Sequence, residues 1–232
     1  MLNRVEERFY KRQKKKILDK CTHEGNCRCR RKVKWILNKI EANIPLKYIR
    51  YGFKNMTHPD IQKAKKAIQF YVKNLDVYFD EGEGYYLHGS PGLGKTAFGT
   101  IILSYALSKG FTIYYEEFAD LVEFYTKAWD KQGDAKEEIR HAFVDKVYES
   151  DFLMIDGLGL EIKSSIGTSI MERVVRTRVN YNLPTIYASR LSLDTLCENH
   201  FKSKALLSLI TESINNEITL VGKDARKKGK NK

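Results

Sequence analysis

The segment GYYLHGSPGLGKT, residues 84–96, restricts what this chain can fold into more than any other. A short apolar run ends in eight residues that fit G-x-x-x-x-G-K-[ST] at every fixed place: Gly89, Ser90, Pro91, Gly92, Leu93, Gly94, Lys95 and Thr96. Gly89, Gly92 and Gly94 let successive backbone N–H groups turn inward toward phosphate oxygens, where side chains would collide. A helix beginning at Lys95 adds its positive N-terminal end to the same place. Lys95 can then reach the β- and γ-phosphates of a nucleotide, and the Thr96 hydroxyl can ligate Mg²⁺. The plain alternative is a glycine-rich turn with no ligand.

A second apolar run, DFLMI at 151–155, ends in Asp156, sixty residues beyond the loop, where a carboxylate can hold Mg²⁺ through water. Further short apolar runs stand at 84–88, 111–115, 184–188 and 217–221. Between them lie stretches of helical periodicity at 95–109, 117–130, 136–149 and 165–182. Such alternation predicts an α/β fold, a parallel sheet with helices on its faces. Before it, Pro59 opens a helix in which Ile61, Ala64, Ile68 and Tyr71 share one side.

The charge is unevenly placed. The chain has 232 residues and a net charge of +12. Residues 1–50 hold 16 Lys/Arg against 5 Asp/Glu, a net of +11, and residues 221–232 hold 6 against 1, a net of +5. The body at 51–220 is therefore slightly acidic, at −4. Basic arms neutralise phosphates and release counterions, or they serve only to keep a protein in solution. No run reaches the roughly 18–20 apolar residues of a spanning helix, and the first residues carry neither the apolar centre nor the cleavage site of a secretory signal. The expected setting is a soluble, cytoplasmic protein without a membrane partner.

In order, GYYLHGSPGLGKT, DFLMIDGLG, NLPTIYASRLSLDTL and ITLVGKDAR resemble the motifs of AAA+ ATPases. They are most similar to the helicase loaders of the DnaC/DnaI type and to the related IstB transposition ATPases, over about residues 45–226, with IPLKYIRYGF at 44–53 similar to the segment preceding the loaders' core. The resemblance implies an AAA+ P-loop NTPase that binds ATP with Mg²⁺, assembles as a homo-oligomer, binds single-stranded DNA and delivers a replicative helicase. Within it, Lys95 and Asp156 are the catalytic candidates, and Arg226 of KDAR matches the family's second sensor arginine.

Three positions depart from the family pattern. The second acid, which polarises the attacking water, is replaced by Gly157. The first sensor triplet is Ala188-Ser189-Arg190, and the arginine-finger position is Leu209, which cannot stabilise phosphate charge. The binding groups are thus intact while hydrolysis groups are altered. Glu161 or Glu116 are candidate substitutes for the acid, and Arg176, Arg178 or Arg190 for the finger.

Near the N-terminus, Cys21, His23, Cys27 and Cys29 place four soft ligands within nine residues. A tetrahedral Zn²⁺ takes four such ligands, although C-x-H-x3-C-x-C is tighter than paired C-x2-C spacing. The alternative is unliganded surface thiols. The resemblance favours zinc, because such loaders often carry a Cys-rich element before this point. Cys197 reads as a helix-packing residue.

Elsewhere plainer readings prevail. One tyrosine of each pair, Tyr85-Tyr86 and Tyr114-Tyr115, is expected in the core. His58, His88, His141 and His200 have no evident partner in sequence, and the helix bearing Tyr125 and Trp129 is amphipathic. In the loaders this chain resembles, that region lies near DNA, which Lys127 and Lys131 alone do not establish here. The expected organisation is a basic, Cys/His-containing partner-docking element at 1–50, a linker helix at 51–80, the AAA+ core at 81–222 and a basic tail at 223–232. The preferred reading is a helicase loader. The alternatives are an IstB-like transposition helper and an ATP-binding adaptor with little hydrolysis; the order of the later motifs argues against a small-molecule kinase.

Overall fold

Five of the apolar segments become the strands of one sheet: β1 (Gly84–Gly89), β2 (Ile113–Glu117), β3 (Phe152–Leu158), β4 (Thr185–Ser189) and β5 (Ile214–Leu220). Their order across the sheet is β2-β3-β4-β1-β5, every neighbour parallel. The computed structural model describes residues 2–23, 27–129, 131–161, 163–222 and 224. The chain divides into two compact units, Met1–Tyr51 and Gly52–Lys232. In the second unit the helices are α3 (Gln62–Lys73), α4 (Leu75–Asp80), α5 (Lys95–Lys109), α6 (Phe118–Thr126), α7 (Asp134–Phe143), α8 (Ser165–Asn180) and α9 (Lys204–Glu212). Among the described residues, no helix is long and apolar enough to cross a membrane.

Helices cover both faces of the sheet. On one, α5 packs so closely that a Cβ on Gly99 would fall 2.3 Å from the Met154 sulfur. On the other, Phe118, Leu121, Ile170, Val174, Leu206 and Ile210 close over Tyr86, Tyr114, Leu153, Ile155 and Tyr187. With both faces covered, all four tyrosines at 85, 86, 114 and 115 are buried, rather than one of each pair.

Several boundaries differ from those expected. Strand β2 starts at Ile113, not Phe111, because the Asp151 carboxylate accepts hydrogen bonds from the Thr112 N–H at 2.7 Å and hydroxyl at 2.8 Å. β3 continues to Leu158, so Asp156 lies within the strand. α6 stops at Thr126, whose hydroxyl donates back to the Val122 carbonyl while its own carbonyl receives the Trp129 N–H in a tight turn. The helix expected at 136–149 is α7 followed by a widened π turn, Val144–Tyr148. Ahead of α3, residues 59–61 form a 3₁₀ turn in which the Asp60 N–H donates to the His58 ring.

That widened turn has a consequence for Arg178. The side chain is fully buried, and its guanidinium donates to the carbonyls of Val147 at 3.0 Å, Ser150 at 2.8 Å and Pro184 at 2.8 Å, and to the Thr185 hydroxyl at 2.8 Å. Burial draws its pKa down to about 9. Arg178 is therefore a staple between the π turn, α8 and β4, and its burial removes it from the arginine-finger candidates. Arg178→Met fills the space but orphans several carbonyls, and it is expected to cost about 3 kcal/mol or more of stability. The shift of the urea unfolding midpoint checks this.

In the first unit, α1 (Arg4–Leu18) opens with a reciprocal cap between Asn3 and Glu6 and packs on α2 (Arg28–Glu41). Lys39 of α2 is buried, its ammonium 4.1 Å from the Trp35 ring centre and 2.7 Å from the Ile49 carbonyl it donates to. Desolvation lowers its pKa to about 8. This contact pins the IPLKYI segment to α2.

Candidate functional site

The loop after β1 is shaped by close backbone approach as well as by its sequence. Gly89 has φ 118°, and a Cβ there would lie 2.2 Å from the Leu220 carbonyl oxygen of β5. The next N–H, of Ser90, donates to that same oxygen at 2.8 Å. Gly92 and Gly94 also take positive φ, and Gly94 is the N-cap of α5. The first α5 backbone hydrogen bond runs from Phe98 N to Gly94 O at 2.8 Å. The N–H groups of Lys95, Thr96 and Ala97 thus have no acceptor one turn back in the helix, and they form a positive end beneath the loop. Lys95 folds over this loop and donates to the Gly89 and Ser90 carbonyls at 2.7 and 2.9 Å.

Two strands away, Asp156 meets the same helix end. Its Oδ2 accepts from the Thr96 hydroxyl at 2.6 Å and from the Tyr115 hydroxyl at 3.1 Å, and its Oδ1 from the Gly157 N–H at 2.8 Å. A hydroxyl and a carboxylate this close are hard oxygen ligands of the kind Mg²⁺ takes, so the residues present fit that ion. The parallel register sets Glu117, the last residue of β2, directly beside Asp156. Glu117 is exposed, and burial of its stem, then the Asp156 and Asp120 carboxylates, raise its pKa. The sequence reading missed both Tyr115 and Glu117; their two-residue spacing was the available signal, but it needs β2 placed next to β3.

The remaining candidates are dispersed. Glu116 lies on the opposite face of β2, buried, accepting from the Tyr114 hydroxyl at 2.7 Å. Glu161 lies 2.8 Å from the His200 ring in a cavity of about 420 Å³ that Phe118, Val122, Leu160 and Phe201 also line. The Ser189 hydroxyl is buried, donating to the Leu158 carbonyl at 2.8 Å and accepting from the Leu191 N–H at 3.0 Å. Leu209 packs against the core, while Arg176 and Arg190 are exposed. Arg226 lies outside the described residues. Three histidines gain partners: His58 meets Asp60, His88 lies 3.1 Å from Glu217 and 2.8 Å from the Thr219 hydroxyl, and His200 pairs with Glu161.

In the first unit, Cys21 follows α1, Cys27 is the N-cap of α2, and Cys29 lies in the first turn of α2. Their three sulfurs lie within 4.8 Å of one another. Tetrahedral coordination at about 2.3 Å sets sulfurs about 3.8 Å apart, so the trio fits a zinc ion. The His23 Nδ1 lies 4.0 Å from the Cys21 sulfur, outside the compact trio. The Cys27 thiol pKa is lowered, chiefly by the Arg30 backbone N–H and then by Cys21, while that of Cys21 is raised.

The profile of IstB-like ATP binding proteins matches residues 12–231. No curated protein sequence matches. Among solved structures, DnaI is similar with 20% identity over 76% of this chain and 94% of that one, at a TM-score of 0.62. The DnaC helicase loader is similar with 22% identity over 75% of this chain and 99% of that one, also at 0.62. The replication initiator DnaA, bound to AMPPCP and single-stranded DNA, has 16% identity over 78% of this chain and 51% of that one, at 0.61. At these identities the structures establish the shared AAA+ fold.

Proposed function

The chain belongs to the IstB-like ATP-binding protein family, and we propose that it is a helicase loader operated by ATP. ATP occupies the loop from Gly89 to Thr96, with Lys95 on its β- and γ-phosphates. Thr96, and Asp156 through water, would hold Mg²⁺, which would supply positive charge against the phosphates. The observation that carries this reading is the 2.6 Å contact between the Thr96 hydroxyl and Asp156 at the mouth of a glycine loop. Arg226, in the basic tail at 223–232, completes the nucleotide site as a second sensor.

The nucleotide state controls assembly into a homo-oligomer. The body at 81–222 contacts single-stranded DNA, and the element at 1–50 docks on the replicative helicase. Zinc, bound by Cys21, Cys27 and Cys29 with His23 as the candidate fourth ligand, gives that element its fold. Tyr125, Trp129 and Arg173 line a cleft of about 300 Å³ in which Trp129 is 56% exposed, a surface suited to stacking bases. With Gly157 and Leu209 at two hydrolysis positions, the chain acts as a switch with slow turnover; an absent finger alone costs about 10³–10⁵-fold.

A second reading, a transposition helper that pairs with a transposase, follows from the resemblance to the IstB ATPases. Pull-down of the full chain against a replicative helicase and against a transposase, each with and without ATP, separates the two. ATP-dependent capture of the helicase is the expected result; capture of the transposase alone selects the second reading.

A further inference from the structure

Strand β2 ends at Glu117, beside Asp156 of β3, and Asp156 meets Thr96 at the start of α5. Residues paired in a parallel ladder carry their side chains on the same face. Glu117 is paired with Asp156, and Tyr115, two residues earlier on β2, reaches Asp156 with its hydroxyl at 3.1 Å. Tyr115, Glu117 and Asp156 therefore share the α5 face of the sheet, where Thr96 also meets Asp156. Glu117 is the exposed member of that row, at the end of β2, an edge strand of the sheet.

The two candidate substitutes for the missing acid, Glu116 and Glu161, lack this placement. Position 157 is a glycine at φ 75° whose N–H serves Asp156. Glu116 is buried on the opposite face against Tyr114. Glu161 is held by His200 in a separate cavity.

We infer that Glu117 is the catalytic carboxylate of this chain: it orients the attacking water from β2, in place of an acid following Asp156. The inference rests on the proposed occupancy of the loop by ATP. As the water oxygen bonds to the γ-phosphorus, the bond from that phosphorus to the β–γ bridging oxygen breaks. ADP leaves with the electron pair, and the water proton passes to the Glu117 carboxylate and then to solvent. The slow turnover expected of the chain is thus Glu117-dependent.

Single-turnover ATP hydrolysis by the full chain, with Mg²⁺ and oligo(dT), is measured beside the affinity for a fluorescent non-hydrolysable ATP analogue. Glu117→Gln should lower the hydrolysis rate about 10²-fold, the usual contribution of a positioned general base, and leave affinity within twofold. Glu123→Gln, on the outer side of α6 and paired with Lys127 at 3.3 Å, should change neither. Three results overturn the inference while the binding reading stands: hydrolysis unaffected in Glu117→Gln, affinity lost together with hydrolysis in that variant, or tight binding with no hydrolysis by the unaltered chain. Absence of nucleotide binding by the unaltered chain overturns both.

Discussion

Replacing Lys95 with alanine is expected to weaken ATP binding about 10²-fold while leaving the fold intact. The ammonium is the group in the loop that carries full positive charge to the terminal phosphates. Hydrogen bonds to charged partners contribute roughly 1.5–3 kcal/mol each, and 3 kcal/mol is about two decades of affinity. In the structure Lys95 reaches the Gly89 and Ser90 carbonyls at the lip of the loop, whereas the loop's shape is set by the approach of Gly89 to Leu220. Removing the ammonium should therefore spare β1, β5 and α5. Titration with a fluorescent ATP analogue, alongside thermal unfolding of the same samples, checks both halves. Unchanged affinity would refute the assignment of the loop.

Zinc removal should have the larger structural effect, confined to the first unit. α1 has 15 residues and α2 has 14, lengths at which isolated helices are marginal in water. A structural zinc contributes on the order of 10 kcal/mol of apparent folding free energy in small domains. The three sulfurs stand where α1 ends and α2 begins, so one ion ties both helices. Expected results are one zinc per chain by elemental analysis, its release by a chelator, and loss of helical ellipticity with the second unit's thermal transition retained. Cys27→Ser should reproduce the chelated state. Purified chain with full helicity and no bound metal would leave the trio as ordinary thiols.

The sequence revealed those parts of the site that are local. The glycine loop and Lys95-Thr96 are contiguous, and the five apolar runs are short, β-rich and separated by helical stretches. Asp156 was legible because it closes such a run, and the structure brings it to Thr96. What escaped depended on strand order. Glu117 acquires its place only when β2 stands beside β3, a neighbour relation that no local pattern encodes. Glu116, one residue earlier, shows the cost of a missed register, because a one-residue step turns a side chain to the opposite face.

Buried polar groups were the other source of error. An arginine at the end of an amphipathic helix reads as a solvent-facing cation, yet Arg178 is buried among the carbonyls of a π turn that helical periodicity does not foretell. Ser189, in the triplet that departs from the family's sensor, is likewise buried, and its hydrogen bonds join β4 to the end of β3. The paired tyrosines were assigned one face each to the core, as on a half-exposed sheet; α5 and α3 cover the face that was left out.

The central claim is that ATP on this chain drives delivery of a ring-shaped helicase to DNA. A closed ring cannot thread onto circular single-stranded DNA that offers no end. The decisive measurement is the release of a labelled oligonucleotide annealed to such a circle, by replicative helicase with and without this chain. The expected result is stimulation by the unaltered chain with ATP and its loss with Lys95→Ala. Equal strand release with the unaltered chain, with Lys95→Ala and with no added chain would contradict the claim.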